Sequence, residues 1–418
     1  MPRASRILCG ATAQRARVKS LTTNLFSVPD FRPLLFVGFV SFIVRWLELL
    51  AMALFAYRVT ESAFVVAMLT MLRVLPMGLF GAFIGAAADR IKLRSALILV
   101  VVVSMATTLA LAVLASLGAL QVWHLAVASF VNGFCWATDN PVRRMMIGDA
   151  VGPERMGPAI SLDVGANNAS RVLGPILAGT LLARYEIASV FWLGVVLYAA
   201  SLVAALRIRR RDVNAAAHPT SIISGIREGF AWLRGDRRLV GVFVVTVIFN
   251  IFGWPYTSMV PVISTEYFQL DPKGVGLIAS CEGVGGLLGA VLFVSLARSE
   301  WYGRIYLGAT AFYFATMIGF ATAPVVPVAV VLLLLNGMSG VGFAVMQATL
   351  VYRDSPVEMR ARLLGVLSVC IGAGPIGFMY LGLLADLLTP RVATVVIALQ
   401  GMLALLLTRR YWAPVFRM

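Results

Sequence analysis

Twelve long apolar stretches run through the 418 residues of this chain, joined by mostly short polar connectors. A helix needs roughly 20 mainly apolar residues to cross the hydrocarbon of a bilayer. The stretches lie near 33–57, 63–88, 95–118, 122–148, 157–183, 188–207, 239–265, 273–297, 303–322, 325–350, 360–386 and 392–411. Lipid supplies no partner for a bare peptide group, so each stretch must satisfy its backbone within itself, as an α-helix does. Hydrophobic residues make up 60% of the chain and charged residues 13%, against about half and about a quarter in ordinary soluble domains. The pattern predicts an all-α membrane protein of twelve transmembrane helices.

The second six stretches echo the first six. Asn132-Gly133 in the fourth is matched by Asn336-Gly337 in the tenth, 204 residues on, and Glu154 by Glu358 at the same offset. Asp30 and Arg32 before the first stretch recur as Asp236 and Arg238 before the seventh, 206 on, and Arg90 recurs as Arg298, 208 on. One offset of half the length predicts two pseudo-symmetric six-helix bundles. The expected division is a tail (1–30), a first bundle (31–207), a linker (208–238), a second bundle (239–411) and a short tail (412–418). Parallel halves related by an axis along the membrane normal place a substrate site between them, near the bilayer midplane.

The formal charge of +16 is a topology signal here. Sorted by side, 28 Lys and Arg fall on the face holding both termini and the linker, against four (Arg58, Arg184, Lys273 and Arg391) on the other. The positive-inside rule then puts the termini and linker in the cytoplasm, and a nucleic-acid partner is not expected. Residues 1–28 hold no acid and no apolar core of signal-peptide length, which predicts a cytoplasmic tail or an over-extended start. Cys9, Cys135, Cys281 and Cys370 form no CxxC pair, and His124 and His218 stand far apart. No metal site, cofactor, catalytic pair or phosphate-binding GK[ST] loop is expected, so the chain does not read as an enzyme.

Charged side chains within a span cost about 2.5–3.5 kcal/mol each on insertion scales and are functional candidates by default. Arg45 and Glu48 lie three apart on one face of the first helix and are expected to pair locally. Either they form a structural ion pair in a wet cavity, or Glu48 carries a coupling proton under the influence of Arg45. Asp163, Asn167 and Arg171 follow at i, i+4, i+8 on the fifth helix, continued by Gly174 and Ala178. That stripe should face the bundle interior, with Asp163 and Arg171 each meeting a neighbouring helix. Glu282 stands alone among small residues of the eighth helix, a hydrogen-bonded protonated carboxyl or a second proton carrier. The depth of Arg73 is open, with snorkelling as one alternative. Asp139 and Arg143, flanking Asn140 and Pro141, are expected at the cytoplasmic gate.

Gly85-Ala-Ala-Ala-Asp89-Arg90-Ile-Lys92-Leu-Arg94 resembles the loop signature of the major facilitator superfamily, Gly-x-x-x-Asp-Arg-x-x-Arg-Arg. The copy after the eighth span keeps Arg298 and Arg304 but has Ala297 at the acidic position. A narrower similarity, to the bacterial exporter branch that includes enterobactin and macrolide exporters, is carried by several short runs. They are Tyr57-Arg-Val-Thr60-Glu-Ser62, Arg73-Val-Leu-Pro76, Pro141-Val-Arg143 and Val151-Gly-Pro153-Glu154. Asn168-Ala-Ser-Arg171-Val-Leu-Gly174-Pro175 with Gly179 matches that branch's fifth helix, and Glu358, Arg360 and Arg362 continue it more faintly. Glu61 and Asp163 depart from it. Ser161, Ser170, Gly174, Pro175, Ala178 and Gly179 form a weakened version of the antiporter pattern, every position still small.

The resemblance implies alternating access and a cytoplasmic latch built from Gly85, Asp89, Arg90 and Arg94, with Asp139, Arg143, Glu154, Glu358 and Arg362 completing the gate. It implies that the first, fourth, seventh and tenth helices line the cavity, through Arg45, Glu48, Asn132 and Trp136 in one half. Asn250, Trp254, Tyr256, Asn336 and Met346 serve in the other. The expected activity is proton-coupled export of a medium-sized organic molecule by a monomer in the lipid bilayer. A facilitator or symporter importing a small solute is the alternative, and a non-transporting receptor or assembly factor a third.

Overall fold

The structure, a computed structural model, describes residues 25–88, 92–209, 222–296, 299–356 and 358–417, and these are helical almost throughout. Cys9, His218 and residues 1–24 of the expected tail (1–30) lie outside the described residues. Six long helices come first: α1 (Phe31–Thr60), α2 (Ala63–Ala88), α3 (Leu93–Ser116), α4 (Val122–Val151), α5 (Pro153–Arg184) and α6 (Ile187–Arg207). The linker contains a helix of its own, α7 (Ile222–Leu233), whose Gly229 lies against Arg362 and Val366. The seventh stretch is broken: α8 (Arg237–Ile248) passes through a π-turn at Phe249–Gly253 and a 3-10 turn at Trp254–Ser258 into α9 (Met259–Glu266). Pro255 denies the break a backbone donor, and the irregular turns take up the mismatch. Then follow α10 (Pro272–Leu296), α11 (Tyr302–Thr322) and α12 (Val326–Asp354). The eleventh stretch is split around Gly372 and Ala373 into α13 (Arg360–Ile371) and α14 (Gly374–Leu387), and α15 (Pro390–Leu407) and the short α16 (Arg409–Trp412) end the fold.

Among the described residues, ten segments are long and apolar enough to cross a membrane, the broken Arg237–Glu266 counting as one. The two expected spans outside that set are α4 and α5, which have 30 and 32 residues and ample length. They fall short in apolar content, because Asp139, Arg143, Arg144 and Asp149 interrupt α4 and Glu154, Arg155, Asp163 and Arg171 interrupt α5. Three of the buried charged side chains, Asp139, Arg143 and Asp163, lie on these two helices.

The sequence repeat has a physical basis in the helix contacts. Gly133 of α4 sits so close to α2 that a Cβ there would meet the carbonyl of Arg73. Gly337 of α12 makes the same approach to the carbonyl of Glu282 on α10. Only a residue without a side chain lets two backbones come that near. Asp236 accepts from the N–H groups of Arg238 and Leu239 and so caps α8, whereas its counterpart Asp30, at the start of α1, accepts from the N–H of Arg209 after α6.

Candidate functional site

The buried charges organise around α1. Glu48 is fully buried, and its carboxylate is ringed by donors from three helices. Thr108 Oγ1 of α3 donates at 2.6 Å, Asn132 Nδ2 of α4 at 3.1 Å and Arg73 Nη2 of α2 at 3.2 Å. The expected Arg45–Glu48 pair is therefore replaced by a Glu48–Arg73 pair, and Arg73 is buried rather than snorkelling. Arg45 turns the other way. Its Nη2 donates to Asn167 Oδ1 at 2.9 Å, and its guanidinium lies over the rings of Trp136 (4.6 Å), Trp46 (5.1 Å) and Phe42 (5.4 Å). Two residues three apart share a helix face, but the aromatic rings and the amide hold Arg45 away from the acid.

The polar stripe of α5 meets a different helix at each step. Asp163 pairs with Arg143 of α4, which also bonds Asp139 at 3.2 Å, and Arg144 stands 3.8 Å from Asp163. Asn167 holds Arg45 of α1. Arg171 Nη2 reaches Glu282 Oε1 of α10 at 2.9 Å. Glu282 is thus half of an ion pair, in place of the lone protonated carboxyl expected from the sequence. Gly174 and Gly179 let the same helix press against α1 at Trp46 and against α10 at Gly276, while Pro175 offers its carbonyl to the Gly276 contact. Asn168 is buried on the same helix.

These helices enclose a cavity of about 370 Å³, a size suited to a small organic ligand. Arg45, Trp136, Asn250 and Trp254 line it. Arg73, Asn167, Arg171 and Glu282 line it too, and so do Trp46, Phe249, Phe343 and Gln347, which the sequence reading does not single out. Glu48, Asn132, Tyr256, Asn336 and Met346 are not on its wall. Tyr256 donates to Asn336 Oδ1 at 2.7 Å, and Asn336 Nδ2 reaches Thr316 Oγ1 and the Tyr313 carbonyl. Met346 is packed in the core. A second, much smaller cavity of about 20 Å³ lies behind Trp136, between Asn132, Asp139 and Tyr198.

The two ends of the bundle differ. At the end bearing Thr60, Tyr57 donates to Glu266 of α9 at 3.1 Å. There Asp386 of α14 accepts from Ser62 Oγ (2.9 Å) and from the Phe64 N–H (3.0 Å), so it completes the first turn of α2. Gly382 of α14 lies against Phe64 and Ala67. At the opposite end of α5, Gly157 and Gly165 have open space where a Cβ would go. Of the expected gate, Asp139 and Arg143 form the buried network above. Arg94 instead closes the end of α6, donating to the carbonyls of Leu206 (2.8 Å) and Ile208 (2.7 Å), as basic side chains do at helix C-termini. Arg362 meets Glu228 of the linker helix at 3.2 Å. Glu154 is in the first turn of α5 and exposed, and Glu358 is exposed just before α13. Asp89 and Arg90 lie outside the described residues, and Gly85 is described only as part of α2.

Comparison with known proteins assigns the family. Residues 22–417 match the family model described as transmembrane secretion effector. Macrolide efflux protein A of Streptococcus pyogenes is 23% identical over 355 residues, covering 83% of this chain and 87% of the relative. Multidrug efflux pump Tap of Mycolicibacterium fortuitum is 25% identical over 340 residues, covering 78% and 81%. Among solved structures, nucleoside transporter NupG superimposes with a TM-score of 0.73 at 12% identity, over 93% of this chain and 99% of that one; at that identity the likeness speaks for the fold. The chain belongs to the transmembrane secretion effector family of major facilitator-type, multi-pass membrane transporters. Its family and relatives are transporters and not enzymes.

Proposed function

We propose that this transporter exports a medium-sized amphipathic organic molecule by proton-coupled alternating access, working as a monomer in a bacterial inner membrane with both termini in the cytoplasm. In this reading α4 and α5 also cross the bilayer, completing twelve spans in two six-helix halves, 31–207 and 239–411, joined by the cytoplasmic linker 208–238. The observation that carries it is the cavity itself, whose wall draws on Arg45 and Trp136 from one half and Trp254 and Glu282 from the other. Efflux relatives support the outward direction. Cross-half hydrogen bonds at the Thr60 end and the open flank of α5 at its other end support a state open to the cytoplasm.

Of the proton-coupling candidates, Glu282 has the geometry for the role. It faces the cavity and has one ionic partner, Arg171, so protonation releases a single ion pair that links the two halves. Glu48 has three donors and no solvent contact, so it is enclosed away from any proton path through the cavity. Asp163 is locked to Arg143, and Arg45 is the cation of the cavity wall. The test is uptake of a candidate panel into everted vesicles, with and without an uncoupler. Wild-type uptake should collapse with the uncoupler. Glu282→Gln should keep substrate binding and exchange while losing accumulation; accumulation as strong as wild type in that variant removes Glu282 from the coupling role.

A further inference from the structure

We infer that the cavity selects an anionic substrate, an aromatic or amphipathic carboxylate whose charged group docks on Arg45. The inference rests on the cavity being the transport site. Three arginines and one acid line the wall: Arg45, Arg73, Arg171 and Glu282. Arg171 is neutralised by Glu282, and Arg73 by Glu48 behind it. Asp139, on the far side of Trp136, is bonded to Arg143 at 3.2 Å. Among the described residues Arg45 has no carboxylate partner; it is held by the Asn167 amide oxygen and by three aromatic rings. That cradle fixes the guanidinium without cancelling its charge, as a pre-organised anion site requires.

A second observation points the same way. Hydrogen-bonding capacity on this wall is unspent, and on the cavity-lining side chains it is of one kind. Arg73 is 4% exposed, and its Nε and Nη1 have no partner among the described residues. The indole N–H groups of Trp46 and Trp136, which flank Arg45, are buried and unpartnered too. Buried donors left unmade are costly. Their N–H dipoles, shielded just behind the cavity surface, add positive potential to the wall, which favours an anionic group over an ammonium. Phe249 and Phe343, stacked at 3.7 Å between centroids, and Trp254 supply an apolar wall for the body of the molecule.

The test is equilibrium binding to the full-length protein in lipid nanodiscs, using three tritiated probes of one shape: naphthoate, naphthamide and naphthylmethylammonium. Wild type should bind naphthoate about tenfold or more tightly than either of the others, the margin of one unshared charge-assisted contact. Arg45→Gln should bring naphthoate down to the amide. Asn167→Asp places a carboxylate against Arg45 without removing it and should do the same, a check that survives if Arg45→Gln misfolds. Equal binding of all three by wild type, tightest binding of the ammonium, no binding of any, or an undiminished naphthoate preference in both variants overturns the inference. Flux of the wider panel in vesicles, measured separately, reports on transport itself, so a transporter with no taste for anions is recognised as such.

Discussion

At the scale of single residues, the difference between Arg45 and Glu48 shows what spacing on a helix can and cannot say. Three residues apart puts them on one face, and that much is legible. Their partners come from other helices, through Thr108, Asn132, Arg73 and Asn167, and no local pattern specifies which of two arginines takes the acid. The ion pair that forms is buried, with Glu48 fully enclosed and Arg73 at the edge of the cavity. Removing one partner of such a pair leaves an uncompensated charge and costs about 3–5 kcal/mol. Glu48→Leu and Arg73→Leu should therefore each lower the thermal midpoint of the purified protein sharply. The double variant should lose much less than the two losses combined, and a full additive loss would show that the pair is not coupled. Glu282→Gln, whose partner Arg171 is partly exposed to the cavity, should cost far less stability than Glu48→Leu in the same measurement.

At the scale of helices, the repeated Asn-Gly is readable as a repeat but not as a contact, because the offset of 204 residues carries no information about which helix stands opposite. The structure answers with Arg73 and Glu282, the two cavity-facing charges of α2 and α10. The glycine brings the helices together, and the adjacent asparagine fixes a residue of α1 in the first copy and of the broken seventh stretch in the second, Glu48 and Tyr256. Gly133→Ala and Gly337→Ala should each destabilise by about 1–3 kcal/mol, as over-packing does, read by thermal unfolding. Gly157→Ala on α5 meets nothing within 4 Å and should be neutral or stabilise by up to about 1 kcal/mol, the gain expected from helix propensity. The breaks of the seventh and eleventh stretches are only half announced by Pro255 and Pro375, since Pro76, Pro141 and Pro175 sit within helices that continue. Whether a proline ends a helix or is absorbed depends on neighbours that satisfy the freed carbonyl.

At the scale of the molecule, twelve apolar stretches and the duplicated order are sequence properties, and the family resemblance implies a cavity wall on α1 and the seventh stretch. The state in which the protein rests is not, because it depends on contacts between distant parts. Asp386, 324 residues from Ser62, is one such contact. Replacing it with alanine removes acceptors worth about 1 kcal/mol at a helix N-terminus and should shift the population towards the form open at the Thr60 end. A cysteine placed at Ser62 should then label faster with an impermeant thiol reagent; unchanged labelling would separate Asp386 from the closure. In the proposed cycle α2 and α14 move apart at this end; Ser62 Oγ still accepts from the Val65 N–H, but the Phe64 N–H and the Ser62 hydroxyl lose the acceptor that α14 supplies. Hydration must then stand in for the carboxylate at Phe64 and Ser62. In that cycle opening at the Thr60 end takes up water, and osmotic stress from excluded solutes such as sucrose should slow it in proportion to the water it takes up.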